Sequence, residues 1–351
     1  MILSNVVSEA GSPQGAQLIV DTHEKAMTEW VTQLKAAKTL ADVRAVLDAK
    51  PDTKEYRKKM IKEIGAELQK GWTLKYSSWL LQNTKLGKKD TEFILSYAEK
   101  YHLKSADAAK FCYSLVYCNA SVQRKKKLIE KVLKNIKDPK AEGVASIALA
   151  VVERYVGDNP LNTARRLTLI RKAIMNSAYE KIGNVTVAEI AKDELYRINN
   201  LSKGKAAPAF MGKDSGGQPV NLANYKGRVV MLVFWSSMDL KTPETLKMLD
   251  MMKELEKKYL GMPFALVGVN RDWIANLREL EKDGLVAGKT ISDSEESIYK
   301  LYRVTTPPEC FVIDQKGLIQ YHGALGAFAS LTVDALLNPV KPVKAKAPAG
   351  R

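Results

Sequence analysis

The apolar run Val229-Val-Met-Leu-Val-Phe-Trp235 decides the fold of the second half of the chain. Seven consecutive apolar residues of strand length predict a strand that is buried on both faces, as in a parallel sheet covered by helices. A helical stretch at Pro243–Leu260 follows, then a second apolar strand at Phe264–Val269 and a helix at Trp273–Asp283. This alternation of strands and helices predicts an α/β domain.

The chain beyond this unit predicts a mixed sheet. A short helix at Glu296–Tyr302 precedes two strands, Cys310–Asp314 and Leu318–His322, which a turn at Gln315-Lys-Gly317 connects. A tight turn between two strands is typical of antiparallel pairing. A closing helix is expected near Leu331–Leu337.

The first half of the chain has a different pattern. From about Gln17 to Leu201, apolar residues recur at helical spacing between short Gly and Pro breakers, which predicts an all-α helical array. No fixed repeat period and no tetratricopeptide consensus is present. The predicted organisation is a flexible amino terminus at 1–15, an α-helical domain at 16–203, the α/β domain at 204–338 and a basic disordered tail at 339–351.

The positive charge is concentrated in the first half and in the tail. The chain of 351 residues has a formal charge of +16, and residues 1–205 hold 36 Lys and Arg against 23 Asp and Glu. A basic surface favours acidic partners such as nucleic acid or an anionic membrane. A solvated helix face is the competing interpretation, because no aromatic residues are interleaved with the sharpest basic cluster. That cluster, the basic patch, consists of Arg124, Lys125, Lys126, Lys127, Lys131 and Lys134.

Several classes of function find no support in the sequence. No apolar run approaches the ~18 residues of a membrane-spanning helix, so we expect a soluble chain. The first fourteen residues lack the basic region of a signal peptide. The cysteines (Cys112, Cys118, Cys310) and the three histidines show no metal-ligand spacing, and no phosphate-binding glycine loop is present. We therefore expect neither a metal nor a small-molecule cofactor.

Four segments in order carry a resemblance to a known family. The second half resembles the TlpA-like, redoxin (alkyl hydroperoxide reductase/thiol-specific antioxidant) group of thioredoxin folds, and the helical half is similar to the extension that precedes such domains in some bacterial envelope proteins. The resemblance covers about Gly204–Leu337. Its motifs are Gly204-Lys-Ala-Ala-Pro208-Ala-Phe, the segment from Gly217 to Trp235, Gly268-Val-Asn-Arg-Asp272, and Tyr302-Arg-Val-Thr-Thr-Pro-Pro308 through Gly317.

The redox motif of this family is absent. The resemblance implies a nucleophilic thiolate at the start of the helix after the first central strand, with a second thiol three residues later. In a gap-free alignment these positions are Asp239 and Thr242, with Met238 in place of the family's tryptophan. Thr242 and Pro243 also make a good helix start, so we interpret Asp239 and Thr242 first as capping residues.

The resemblance also implies a site for extended peptides. Pro308 matches the family's cis-proline, next to which substrate peptides pair, whereas Pro307 departs from the family pattern. Candidate binding residues are therefore Trp235, Met238, Pro307 and Pro308, with Trp235 as a core or groove-lining side chain.

These observations predict a non-catalytic protein-binding or structural protein, built from a helical array and a thioredoxin-like domain without redox cysteines. The first alternative is a thiol–disulfide oxidoreductase or peroxiredoxin-like antioxidant enzyme, working through Cys310. The second is a basic helical module that binds nucleic acid or an anionic membrane. The resemblance favours the bacterial cell envelope or periplasm, whereas the unpaired cysteines and the missing signal peptide leave the cytoplasm open.

Overall fold

The computed structural model describes residues 11–37, 39–236, 243–305 and 307–338. The chain forms two compact units that divide between Tyr196 and Arg197. The sequence analysis predicted this division between residues 203 and 204. The earlier point fits the local contacts, because the Arg197 guanidinium donates a hydrogen bond to the carbonyl of Arg303 within the second unit.

The first unit is an array of ten α-helices within the described residues. They are α1 (Pro13–Ala36), α2 (Leu40–Asp48), α3 (Thr53–Ile64), α4 (Thr73–Asn83), α5 (Lys88–Tyr101), α6 (Ala108–Ser114), α7 (Val122–Asn135), α8 (Pro139–Glu153), α9 (Pro160–Ser177) and α10 (Val187–Tyr196). Local signals start several of them. Asp138 accepts hydrogen bonds from two backbone N–H groups at the start of α8, and Pro139 occupies the first helical position.

Helix α8 is the centre of this unit. Every residue from Gly143 to Glu153 is buried, and α8 packs against α6, α7, α9 and α10. Because other helices cover α8 on all sides, its buried stretch carries almost no charged side chains. At Gly143 the packing against α9 is so close that an added Cβ would lie 2.0 Å from Ser177 Oγ.

A small hairpin interrupts the helices where the sequence predicted only helix. Strands β1 (Lys181–Ile182) and β2 (Val185–Thr186) pair in antiparallel fashion between α9 and α10. Gly183 has a φ of 62° in the connecting turn, a conformation that glycine adopts without steric cost. Two-residue strands are too short for an alternating pattern to reveal.

The second unit contains the expected mixed sheet, which has seven strands in the described residues, three more than the sequence predicted. Its strand order is β4-β3-β7-β6-β5-β8-β9. The strands are β3 (Met211–Asp214), β4 (Pro219–Asn221), β5 (Val229–Trp235), β6 (Phe264–Asn270), β7 (Lys289–Ser292), β8 (Glu309–Ile313) and β9 (Ile319–Gly323). Strand β6 runs parallel to β5 and β7, and β8 runs antiparallel to β5 and β9.

Both faces of the sheet are covered. The helices are α11 (Pro243–Lys258), α12 (Ile274–Lys282), α13 (Ser297–Leu301) and α14 (Ala327–Leu337). Alternate residues of β5, from Val229 to Trp235, join a core with α11, α12 and α14. Phe234 points to the other face, where its ring lies 5.0 Å from Tyr299, 5.4 Å from Tyr302 and 5.9 Å from Phe311. The prediction that β5 is buried on both faces is confirmed.

Candidate functional site

A network of polar side chains lies where the parallel strands end. Ser236, the residue after β5, donates a hydrogen bond of 2.5 Å from its hydroxyl to Asp272 Oδ1. Asn270, the last residue of β6, donates from Nδ2 to Asp272 Oδ2 at 2.9 Å, and its own Oδ1 accepts from the Asp272 N–H at 3.0 Å. Asn270 is fully buried and Asp272 nearly so. This network links the end of β5 to the end of β6 and fixes the residues that follow each of these two strands.

A second set of contacts lies beside it. The Tyr299 hydroxyl donates to the Trp235 carbonyl at 2.8 Å, and burial raises the pKa of this phenol above its ordinary value. The Arg271 guanidinium lies 5.4 Å from the centre of the Tyr299 ring and 3.3 Å from a Glu296 carboxylate oxygen. Asp293 accepts three backbone N–H bonds at the start of α13. These groups hold α13 against the sheet.

The predicted redox positions cannot be placed in this geometry. Met238, Asp239 and Thr242 lie outside the described residues, between Ser236 and the start of α11. Helix α11 begins at Pro243, where the sequence predicted a helix start. The resemblance implies that the family's nucleophile lies in the segment between Ser236 and Pro243, after strand β5 and before helix α11.

The other predicted binding residues divide into buried and accessible ones. The Pro307–Pro308 peptide bond is cis, as the resemblance implied. Pro308 is exposed and precedes Glu309, which pairs with Phe234, so this proline lies alongside the end of β5. Trp235 is fully buried in the core, and a partner on the surface would not touch its side chain.

All three cysteines are buried free thiols. Cys310 pairs across the sheet with Val233 and points into the core shared with α11 and α14. Burial raises the pKa of each of the three thiols above its ordinary value. Since the thiolate is the reactive form, none of these sulfurs has the exposed, electropositive surroundings of a redox nucleophile.

Acidic residues of neighbouring helices neutralise much of the basic patch. Arg124 lies 2.7 Å from carboxylates of both Glu92 and Glu99, and Lys131 pairs with Glu99 as well. The hydrogen bond from Lys131, with further help from Arg124, holds the pKa of Glu99 below its usual range. Lys126 lies 2.9 Å from Glu153. The Lys125 ammonium donates to the Val116 carbonyl at 3.3 Å. Three of the six cations of the patch are therefore paired with carboxylates.

The sequence did not indicate a buried ionic network that joins α8, α9 and α10. Arg166 and Glu194 are almost completely buried and lie 2.8 Å apart, and Arg154 lies 2.8 Å from the second oxygen of Glu194. Fully buried Glu153 lies 2.7 Å from Arg165, close enough for an ion pair although neither of its oxygens receives a hydrogen bond of good geometry. These contacts tie successive helices together.

The helical unit also has an open groove of about 550 Å³ between α7, α8 and α9. Its floor is apolar and its rim carries charge. The lining residues are Glu130, Leu133, Lys134, Leu149, Arg165, Thr168 and Leu169.

Two further kinds of site, a membrane-spanning helix and a metal-ligand cluster, are both absent from the described residues. No helix in the described ranges is both long and apolar enough to cross a membrane. In those same ranges, no three His, Cys, Asp or Glu side chains come together as metal ligands.

The fold and the site together define a class. A central parallel pair, an antiparallel strand pair after it, a cis-proline beside the first central strand and a helix that follows this strand are the features of a thioredoxin-like domain of the redoxin type. Residues 203–322 match the model of the AhpC/TSA family. The resemblance predicted from the sequence is therefore confirmed for the second unit.

Known relatives agree with this class. Peroxiredoxin Q, chloroplastic, from Oryza sativa subsp. japonica is 28% identical over 128 residues, which are 34% of this chain and 58% of that protein. The Triticum aestivum peroxiredoxin Q gives the same identity and coverage. This chain thus spans about 58% of the length of these relatives.

Solved structures with a similar domain include two bacterial proteins. One is a thiol-disulfide oxidoreductase from Bacteroides fragilis, 23% identical, with a TM-score of 0.34 and coverage of 38% of this chain and 100% of that one. The other is a thiol:disulfide interchange protein of the thioredoxin family from Chlorobium tepidum, 20% identical, with a TM-score of 0.33 and coverage of 39% and 99%.

Proposed function

We propose that this protein is a non-catalytic protein-binding or structural component, in which a redoxin domain has lost its redox chemistry. The observation that carries the proposal is the burial of all three cysteine thiols. The sequence holds three cysteines, and all three are buried thiols with raised pKa values. Thiol–disulfide exchange needs an accessible thiolate and a resolving partner, and the family's positions for both carry Asp239 and Thr242.

Exposed apolar side chains of the helical unit support a protein partner. Leu161, Met175 and Tyr179 are 86%, 77% and 91% exposed, on or just after α9. Leu161 lies in the first turn of α9 and Met175 in its last turn, about 21 Å along the helix axis, so they offer a partner two separate apolar contacts along one helix. The partner is another polypeptide in this proposal, and the helical unit is the part that contacts it.

An enzyme is the alternative, and the relatives named peroxiredoxin Q favour it. It would require Cys310 to become exposed and ionised. That thiol is fully buried on β8, between β5 and β9, so its reaction would need the core to open.

Thiol chemistry of the full chain tests the proposal. We expect no acceleration of insulin reduction by dithiothreitol and no peroxide consumption. We also expect no labelling of native thiols by Ellman's reagent, and labelling of all three only after unfolding. The matched control is Cys310→Ala, which removes the sulfur with the smallest change of shape. Turnover by the native protein that this variant loses would contradict the proposal.

The partner is tested separately. A tagged full-length chain should recover a polypeptide in stoichiometric amount from its native source, and the tagged polypeptide should recover the chain. Leu161→Glu together with Met175→Glu should abolish recovery while the helical circular dichroism stays unchanged. If the double variant recovers the partner polypeptide as well as the wild type does, α9 is excluded as the contact surface.

A further inference from the structure

Two buried polar atoms of the second unit converge on one point of the sheet. Trp235 is 0% exposed and Thr290 is 2% exposed. Within the part of the chain that the structure describes, the indole Nε1 and the hydroxyl Oγ1 each lack a hydrogen-bond partner. A buried polar group without a partner is destabilising by about 1–3 kcal/mol, and nearly all such groups in folded proteins are bonded to protein or to ordered water.

Gly268 lies between them. It belongs to β6 and pairs with Val233 of β5 on one side and with Thr290 of β7 on the other. A Cβ built on Gly268 would lie 2.5 Å from Thr290 Oγ1 and 2.9 Å from Trp235 Nε1. Both polar atoms therefore point towards the space above this glycine.

The glycine is required for space rather than for backbone conformation. Gly268 is not among the glycines with positive φ, so any residue could adopt its backbone angles. A side chain at this position would collide with Trp235 and Thr290. Even a methyl carbon on Gly268 would lie 2.5 Å and 2.9 Å from the two polar atoms, so a molecule that bonds to both of them has to be small.

We propose that one internal water molecule bridges Trp235 Nε1 and Thr290 Oγ1 above Gly268, as a fixed part of this fold. The chemistry of the two atoms selects the ligand. An indole N–H can only donate, whereas a threonine hydroxyl can donate or accept, so the bridging molecule must accept from the indole and can take either role towards Thr290. Water does both. An apolar guest would leave both groups unsatisfied, and an ion would be buried without a counter-charge.

A crystal structure of the full chain at high resolution tests the proposal. We expect one isolated density peak at about 2.7–3.2 Å from both Nε1 and Oγ1. Either of two observations would overturn it: no peak at this position, or a direct hydrogen bond from the indole N–H to the Thr290 hydroxyl after a small rotation of either side chain.

Two substitutions of Thr290 give the matched comparison. Thr290→Ser keeps the oxygen, and the water peak should remain. Thr290→Val keeps the shape of threonine and removes the oxygen, and the peak should be lost while the fold is retained. A peak that persists in the valine variant would show that Thr290 does not hold the water, and the bridge would be refuted. Should the valine variant fail to fold, Thr290→Ala serves the same purpose, because it removes the hydroxyl without adding an atom to the site; a peak that persists there would equally refute the bridge.

Discussion

Removing the negative charge of Glu194 should strongly destabilise the helical unit. Glu194 and Arg166 are 2% and 1% exposed and lie 2.8 Å apart, so neither can turn to solvent when the other is neutralised. Breaking a buried ion pair from one side costs about 3–5 kcal/mol, because the remaining charge stays buried. Arg166 retains Asp158 at 3.7 Å, a contact too long to replace the lost one. We therefore expect Glu194→Gln to fall within this range.

The assay is urea and thermal unfolding of the full chain, followed by far-ultraviolet circular dichroism. A loss of about 3–5 kcal/mol corresponds to a fall in Tm of roughly 6–20 °C for a unit of this size. The matched control is Glu142→Gln, since Glu142 pairs with Lys172 at an exposed position on α8 and surface pairs contribute about 0–1 kcal/mol.

A double substitution separates the pair from its parts. Arg166→Met with Glu194→Met leaves neither charge buried, so its cost should be smaller than the sum of the two single changes. Additive losses, or a loss below about 1 kcal/mol for Glu194→Gln, would refute the argument that this pair is locked away from water.

Three further predictions concern the rest of the molecule. The basic patch should bind DNA and RNA only weakly, with affinity falling steeply with salt; tight binding at physiological salt that is lost on neutralising Arg124–Lys127 would contradict this. The double change Asp239→Cys with Thr242→Cys should produce a disulfide that forms and can be reduced, but a slow reductase in the insulin assay; cysteines that never pair would show that the gap-free alignment is wrong. The hydrogen bond from Lys258 lowers the pKa of Asp334, so its contribution to stability is present above the ordinary carboxyl range and is lost as the pH falls through the lowered pKa. Asp334→Asn should therefore reduce the dependence of stability on acid pH, and a pH profile identical to that of the wild type would contradict this.

The sequence was most informative where one residue pattern had one structural solution. The seven apolar residues of β5 predicted a strand covered on both faces, and all seven are buried. Strands β3, β4 and β7 were not predicted, because they have three or four residues each and include charged or polar side chains. Strands of this length carry too few residues for a period of two to be recognised.

The site was less accessible from sequence, since it depends on which elements become neighbours. Ser236 and Asp272 are 36 positions apart, and only the parallel pairing of β5 with β6 brings their side chains together. The available signal was positional: Ser236 directly follows β5, and Asp272 lies two residues beyond the end of β6. The basic patch shows the same limit, because Arg124 meets Glu92 from another helix, 32 positions away.

The burial of α8 on every side has a consequence for how this protein can be divided. In a chain of stacked repeats, a terminal repeat can be deleted and the remainder still has a covered core. Here α9 and α10 follow α8 in the chain and also form part of its cover, so any shortened version that stops before them exposes an almost entirely apolar helix. The helical unit should therefore be expressed as one piece through α10. Truncations from the carboxyl terminus that keep its core covered end beyond Tyr196.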